Sequence, residues 1–417
     1  MRAINWMLVR VLWGLCLSVP LITTAQTAQQ SPTGSTPPPE EGQSSELPGI
    51  VMPPSAPAPA QPDAASAPNP ADAKPGKVQR FTLLLPLRSD NLGNAAGAVR
   101  AGFMAAYEQE KDGVSVKIVM TTDIPEEIVS SYTNALADSD VVIGPLTRSA
   151  AAAIAESGAV RLPTISLTQS DIGSEAATSQ APLMMTMGLS VEDEAREAAA
   201  WAVANKARKL FAVSTSAAWQ RRAAKAFAAK AHSLGLEAEI VELGSTVGFL
   251  SALDLEQIKK KIQAEKSPTV FAALDAAQAK QLREVIGNDA AMYGTGQMNP
   301  VTLPERATAE RAPELNGVRL LDIPWQLQAD HAAVMIYPRQ VIAADQKRSA
   351  DMERLYALGI DAYRVALQVA AGRKQFEVDG VTGRLKVGID KNGTHVERIE
   401  PYAVYREGLA GFLSDGH

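Results

Sequence analysis

The strongest constraint on this chain is a regular alternation, from residue 78 almost to the C-terminus, of short β-rich runs and helical stretches of ten to fifteen residues. VQRFTLLLPL (78–87) reads as a strand and GNAAGAVRAGFMAAYEQE as the helix after it. VSVKIVMTTD (114–123) and IPEEIVSSYTNALAD repeat the unit, as do DVVIGPL (140–146) with RSAAAAIAESGA, and LPTISLT closes the series. Such alternation predicts parallel sheets built from right-handed βαβ units, an α/β architecture.

The alternation then begins again. APLMMTMGL leads into the helix VEDEAREAAAWAVANKA, and KLFAVST, LEAEIVEL, PTVFAALD and AAMYGTG follow as strands separated by helices. Two Rossmann-like lobes are therefore expected, the first at about 78–184 and the second at about 185–318, each completed by part of the C-terminal section. That section supplies GVRLLDIPW, then a helix through RLYALGIDAY, then a strand-turn-strand over GRLKVGIDKNGTHVERIEPYAVY with a Lys391-Asn392-Gly393 turn. In the helix, Leu355, Leu358, Ala362, Ala366 and Val369 share one face. Gly359 on that face predicts close backbone packing, and Asp361 at its edge needs a polar partner.

The first 77 residues read differently. Residues 1–25 have the pattern of an export signal: Arg2 and Arg10, an apolar run of about a dozen residues, and Thr23-Thr24-Ala25 at the cleavage site. The run is shorter than the roughly 20 residues a transmembrane helix needs. The single cysteine, Cys16, lies within it, but Leu15 is a bulky residue to precede a lipidated cysteine. A periplasmic location is expected, with outer-membrane anchoring through Cys16 as the alternative. Residues 26–77 are rich in Pro, Ala, Ser and Gln and read as a disordered linker that stretches to about 150 Å at about 3 Å per residue.

Several chemistries find no support. The formal charge is −6, with 40 basic residues spread along the chain, and no basic block suits nucleic acid. The four histidines, His232, His331, His395 and His417, have no second ligand at helical or hairpin spacing, so no metal is expected. Neither G-x-S-x-G nor S-x-x-K occurs, and the one G-x-G (294–296) lacks the flanks of a dinucleotide loop. No cofactor and no catalytic residue are predicted.

A ligand cleft remains. In open parallel sheets ligands sit beyond the carboxyl ends of the strands, here the loops 88–94, 144–149, 168–171, 214–221, 275–278 and 294–299. Thr147, Arg148 and Ser149 open a helix whose free N–H groups suit an anion. Ser166 and Thr168 end the next strand, Trp219 offers an apolar cover, and Asp275 an ammonium partner. Each has a plainer reading too: Ser149 as a helix cap, Trp219 as interlobe packing.

The lobes with IGPLTRSA and LPTISLT resemble the type I periplasmic-binding-protein fold of branched-chain amino-acid receptors. LNGVRLLDIPWQLQ, RLYALGIDAYRVALQ and GVTGRLKVGIDKNGTHVERIEPYAVYREG together resemble the C-terminal domain of the LpoA-type penicillin-binding protein activators. That resemblance implies a non-enzymatic regulator of a class A penicillin-binding protein, a peptidoglycan synthase, with peptidoglycan as a further partner. It also implies that the RLYALGIDAY helix packs under the first lobe, with Asp322, Pro324 and Trp325 near the lobe junction. The longer members carry an N-terminal helical-repeat domain where this chain has its Pro-rich segment. The alternative is a solute receptor closing on an amino acid or similar small molecule. The loop STSAAWQRR weakens it, lacking the acid that amino-acid receptors of this fold often pair with an aromatic there.

Overall fold

In a computed structural model of the chain, residues 78–168, 181–343, 346–390 and 393–414 are described. The expected export signal, linker and Lys391-Asn392 turn positions lie outside them. The first lobe runs β1 (Gln79–Leu85), α1 (Gly93–Gln109), β2 (Val114–Met120), α2 (Pro125–Ala135), β3 (Val141–Ile143), α3 (Arg148–Glu156), β4 (Thr164–Ser166) and β5 (Met184–Thr186). Its strands lie parallel in the order β2-β1-β3-β4-β5, a doubly wound arrangement. Side chains alternate across β1: Phe81, Leu83 and Leu85 join the core under α1, and Leu84 joins Ile128, Tyr132 and Ile154 on the other face.

The second lobe continues with α4 (Val191–Ala204), β6 (Lys209–Ser214), α5 (Ala218–Ser233), β7 (Ala238–Glu242), the ribbon β8 (Ser245–Thr246) and β9 (Phe249–Leu250), and α6 (Ala252–Gln263). It closes with β10 (Pro268–Ala272), α7 (Ala276–Ile286), β11 (Ala291–Gly294) and β12 (Arg319–Leu321). The order β7-β6-β10-β11-β12 reproduces that of the first lobe. The sheet is nevertheless mixed, because two C-terminal strands extend it antiparallel beyond β12.

After β12 the chain returns through α8 (Pro324–Leu327) and α9 (Ala332–Ile336) to α10 (Ala350–Ala370). This helix lies against α1 at backbone distance. A Cβ on Gly359 would stand 2.1 Å from the Val99 carbonyl oxygen, and one on Gly102 would stand 1.8 Å from that of Tyr356. Any larger residue at either position pushes the helices apart. Tyr363 sits edge-on to Phe103 at 5.2 Å in the same seam.

The expected C-terminal strand-turn-strand divides between the lobes. β13 (Gln375–Gly380), β14 (Gly383–Asp390) and β15 (Gly393–Ile399) form a separate antiparallel sheet. The Thr394 hydroxyl ties it to the first lobe by donating to the Met184 carbonyl at 2.7 Å. The chain then crosses, and β16 (Tyr402–Arg406) and β17 (Leu409–Phe412) finish the second-lobe sheet. PYAVY thus does not continue the hairpin. Period-2 alternation marks a strand but not the sheet that receives it.

Three segments therefore connect the lobes: 187–190 between β5 and α4, 322–323 between β12 and α8, and 400–401 between β15 and β16.

Candidate functional site

The polar chemistry of the described residues concentrates around these crossings, and it is built from helix starts and strand ends. α10 begins with Ser349 as its N-cap, which places Arg354 one turn inside, pointing at the second crossing. Arg354 is 7% exposed and donates to both oxygens of Asp322, at 3.0 and 2.8 Å, and to the carbonyls of Gly296 and Asn299 at 2.6 and 2.9 Å. Burial opposes its charge, but Asp322 and then Asp351 outweigh that and hold the guanidinium above its ordinary range. A first-lobe helix thereby grips the loop after β11.

The first crossing ends at Ser190, the N-cap of α4, which accepts from the Asp193 N–H at 3.2 Å. The following Glu192 reaches back across the cleft. Its Oε1 accepts from Arg148 of α3 at 2.9 Å and from Arg222 of α5 at 2.7 Å. Burial raises the cost of its charge, yet the hydrogen bond from Arg222 and the charge of Arg148 keep its carboxyl below the usual range. Two residues on, Glu194 accepts the Gly296 N–H at 2.6 Å.

The third crossing begins at Glu400, and Arg398 precedes it near the end of β15. Arg398 donates to the Met187 carbonyl, to the Thr382 carbonyl at 3.4 Å and to the Thr382 hydroxyl. Glu400, its side chain 7% exposed, keeps Oε1 4.0 Å from the Arg398 Nε, and its Oε2 is buried with no hydrogen-bond partner. Burial pushes its carboxyl up to about 7, with Asp322 and Asp193 adding to the shift and Arg398 opposing it. Glu194 is raised as well, by burial and then by the charge of Glu400.

The seven residues predicted from the loops occupy these places. Thr147 caps α3, accepting from the Ala150 N–H at 3.3 Å, and Arg148 joins the Glu192 bridge. Ser149 is exposed in the first turn of α3. Ser166 is buried and donates to the Thr168 carbonyl at 2.8 Å. Asp275 caps α7, accepting from the Gln278 N–H at 2.9 Å, and Trp219 lies half-buried in the first turn of α5. The chain itself thus engages Thr147, Arg148 and Asp275. No hydrogen bond among the described residues joins Thr147, Ser149 or Ser166 to Trp219 or Asp275. Cavities of about 560 and 400 Å³ occur among the described residues, and none of the seven lines either.

Sequence reasoning passed over the Gln220–Gln278 pair. Gln220 Nε2 donates to Gln278 Oε1 at 2.7 Å, and Gln220 Oε1 accepts from the Thr215 N–H and hydroxyl at 2.8 and 2.7 Å. Both amides are buried at the carboxyl ends of β6 and β10. The sequence signal was the loop STSAAWQ itself, read for a missing acid and not for its terminal Gln. Also passed over were Glu192, Glu194, Arg398 and Glu400, which the loop rule does not reach. His232 lies on the surface beside Glu237, as its helix position predicts. Among the described residues no group of three His, Cys, Asp or Glu side chains could hold a metal ion, and no helix is long and apolar enough to cross a membrane.

Comparison with known proteins bears on this arrangement. Residues 72–408 match the family model described as "LppC putative lipoprotein". No curated protein matches the chain. Among solved structures, a "putative branched-chain amino acid ABC transporter" from Chromobacterium violaceum is 35% identical over 78% of this chain and 100% of its own, with a TM-score of 0.63. The LpoA C-domain from Haemophilus influenzae, described as a regulator of PBP1A, is 20% identical over 80% of this chain and 100% of its own, with a TM-score of 0.63. Full-length LpoA from the same organism aligns with a TM-score of 0.65 at 20% identity; this chain is covered to 82% and spans 60% of that one. The fold is type I periplasmic-binding-protein-like.

Proposed function

Because this chain belongs to the LppC lipoprotein family, we propose that it is a non-enzymatic activator of a class A penicillin-binding protein, working in the periplasm or from the outer membrane. The observation that carries the reading is the state of the interlobe polar groups. A solute receptor needs side chains free to bind a ligand at the strand ends of both lobes. Here Gln220 and Gln278 hold each other on the second-lobe wall, and Arg148 is drawn onto Glu192 across the cleft. Docking through an outer surface requires none of these groups. The similarity to a C-domain described as a regulator of PBP1A supports the same reading.

The test is a pulldown of the purified chain against exported peptidoglycan synthases, with transpeptidation followed in the same sample. Binding with faster crosslinking is the expected outcome. Capture of no synthase removes the proposal.

One observation favours a second reading. The 35% identical Chromobacterium violaceum structure is described as a transporter protein. If the chain is a solute receptor, amino acids raise its melting temperature, and substitution of Ser149, Thr168 or Asp275 abolishes the shift.

A further inference from the structure

The larger cavity, about 560 Å³, lies where all three crossings pass. Its walls include Met187 and Gly188 of the first, Leu321 at the start of the second, and Ile399 and Glu400 of the third. None of the seven residues predicted from the strand-end loops lines it. Its volume falls within the range of small-molecule sites.

The charges in it are unbalanced and unequally engaged. Arg398 is taken up by two backbone carbonyls and a hydroxyl, and Arg196 pairs with Asp193. Glu197 accepts the Tyr402 hydroxyl at 2.5 Å. Glu194 has one oxygen on the Gly296 N–H. Glu400 Oε2, in a side chain 7% exposed, has no donor. Lys230 lines the cavity but bonds none of these acids. A buried carboxylate oxygen without a donor is costly, so the occupant that fits supplies N–H groups and positive charge. No set of three donors suits a metal ion. An ammonium carries its own three donors and needs no fixed coordination sphere.

We propose that this cavity is a binding site for a small aliphatic amine, whose ammonium group donates to Glu400 Oε2 while Glu197 receives a second amino group. Di- and polyamines suit it better than amino acids, since no cationic side chain within it is left to hold a carboxylate except Lys230. The proposal does not rest on the activator reading. Charged groups from every side face Glu400: Arg398 on β15, Asp193 and Glu194 on α4, Asp322 beyond β12 and Arg354 on α10. Together they hold its carboxyl near pH 7, so its readiness for an amine rises from pH 6 to pH 8.

The experiment is calorimetric titration of the full chain with 1,4-diaminobutane, at pH 8 and at pH 6 in low salt, with tetramethylammonium as a cation lacking N–H donors. Saturable binding of the diamine at pH 8, roughly tenfold weaker at pH 6 and at least tenfold weaker in Glu400→Gln, is expected, with no binding of tetramethylammonium. Absence of diamine binding at pH 8 overturns the proposal. So does undiminished binding by Glu400→Gln, or equal binding of tetramethylammonium. Should Glu400→Gln fail to fold, Glu197→Gln serves: unchanged diamine affinity in that variant removes the cavity as the site.

Discussion

Asp361 and Glu400 are two buried carboxylates joined through one arginine, and their surroundings are opposite. Asp361, in the middle of α10, is 0% exposed. It accepts from the Val381 N–H at 3.1 Å and from the Thr382 N–H and hydroxyl at 2.8 and 2.6 Å. Gly380 leaves the room: a Cβ there would stand 2.4 Å from Asp361 Oδ2. Arg398 donates to the same Thr382 hydroxyl and lies 4.0 Å from Glu400. Yet Glu400 has an oxygen without any donor. The difference teaches how to divide buried acids. Where every lone pair the site can reach is filled, the acid is a strut that fastens the β13–β14 turn to α10. Where one lacks a donor at the wall of a cavity, the acid is left for an added donor to satisfy.

Removing the strut has the largest expected effect. Asp361→Ala leaves two buried N–H groups and the Thr382 hydroxyl without their acceptor, and should cost about 3–5 kcal/mol in denaturant unfolding. A loss below about 1 kcal/mol would erase the contrast. Arg398→Gln removes the link itself. The expected loss is about 2–3 kcal/mol at pH 8, because the Met187 and Thr382 carbonyls lose their donor. Glu400 then lacks its nearest cation, so its titration, followed by carboxyl NMR, should move further upward.

The third effect should be a gain. The Glu400 carboxyl sits at about 7 in the folded protein and near 4.5 when unfolded. A raised acid costs stability above its folded value, progressively less between the two, and nothing below the unfolded one. Glu400→Gln should therefore stabilise the chain at pH 8, by up to about 3 kcal/mol, and leave it unchanged at pH 4. Melting curves at the two pH values check this. A loss of stability at pH 8 would mean that the carboxylate is a second strut.

Much of this was legible in the sequence, and the limits have physical causes. The βα alternation gives both lobes because each unit is local. The RLYALGIDAY stripe gives α10, and its Gly359 announces the contact with Val99, since glycine on an apolar helix face is costly unless something presses against it. Asp361 needed a partner and has one, although Thr382 could not be named in advance. The segment GSTVGFL gave no sign of the β8–β9 ribbon because two-residue strands carry no period. The crossing cavity was illegible for a deeper reason. Arg398 and Met187, which meet there, are 211 residues apart. Their meeting depends on which sheet receives β15 and which receives β16, and alternation within a strand contains no such information. Thr147 and Asp275 were found by the loop rule, but as caps of their own helices, because a cap and an anion site share the same geometry.

The return of α10 to the first lobe has a consequence for how the chain is made. Synthesis delivers residues from the N-terminus, so the sheet β2-β1-β3-β4-β5 emerges long before the helix that covers it. Until α10 arrives, Val99 and Phe103 face water, though both are fully buried in the finished protein. The first-lobe core then waits for nearly the whole second lobe to be translated, which places this chain among slow, non-local folders that expose apolar surface on the way. A chain broken after β12 would hold both five-strand parallel sheets and still keep that seam bare. Its fate would be capture by chaperones or aggregation, whatever the stability of the completed molecule.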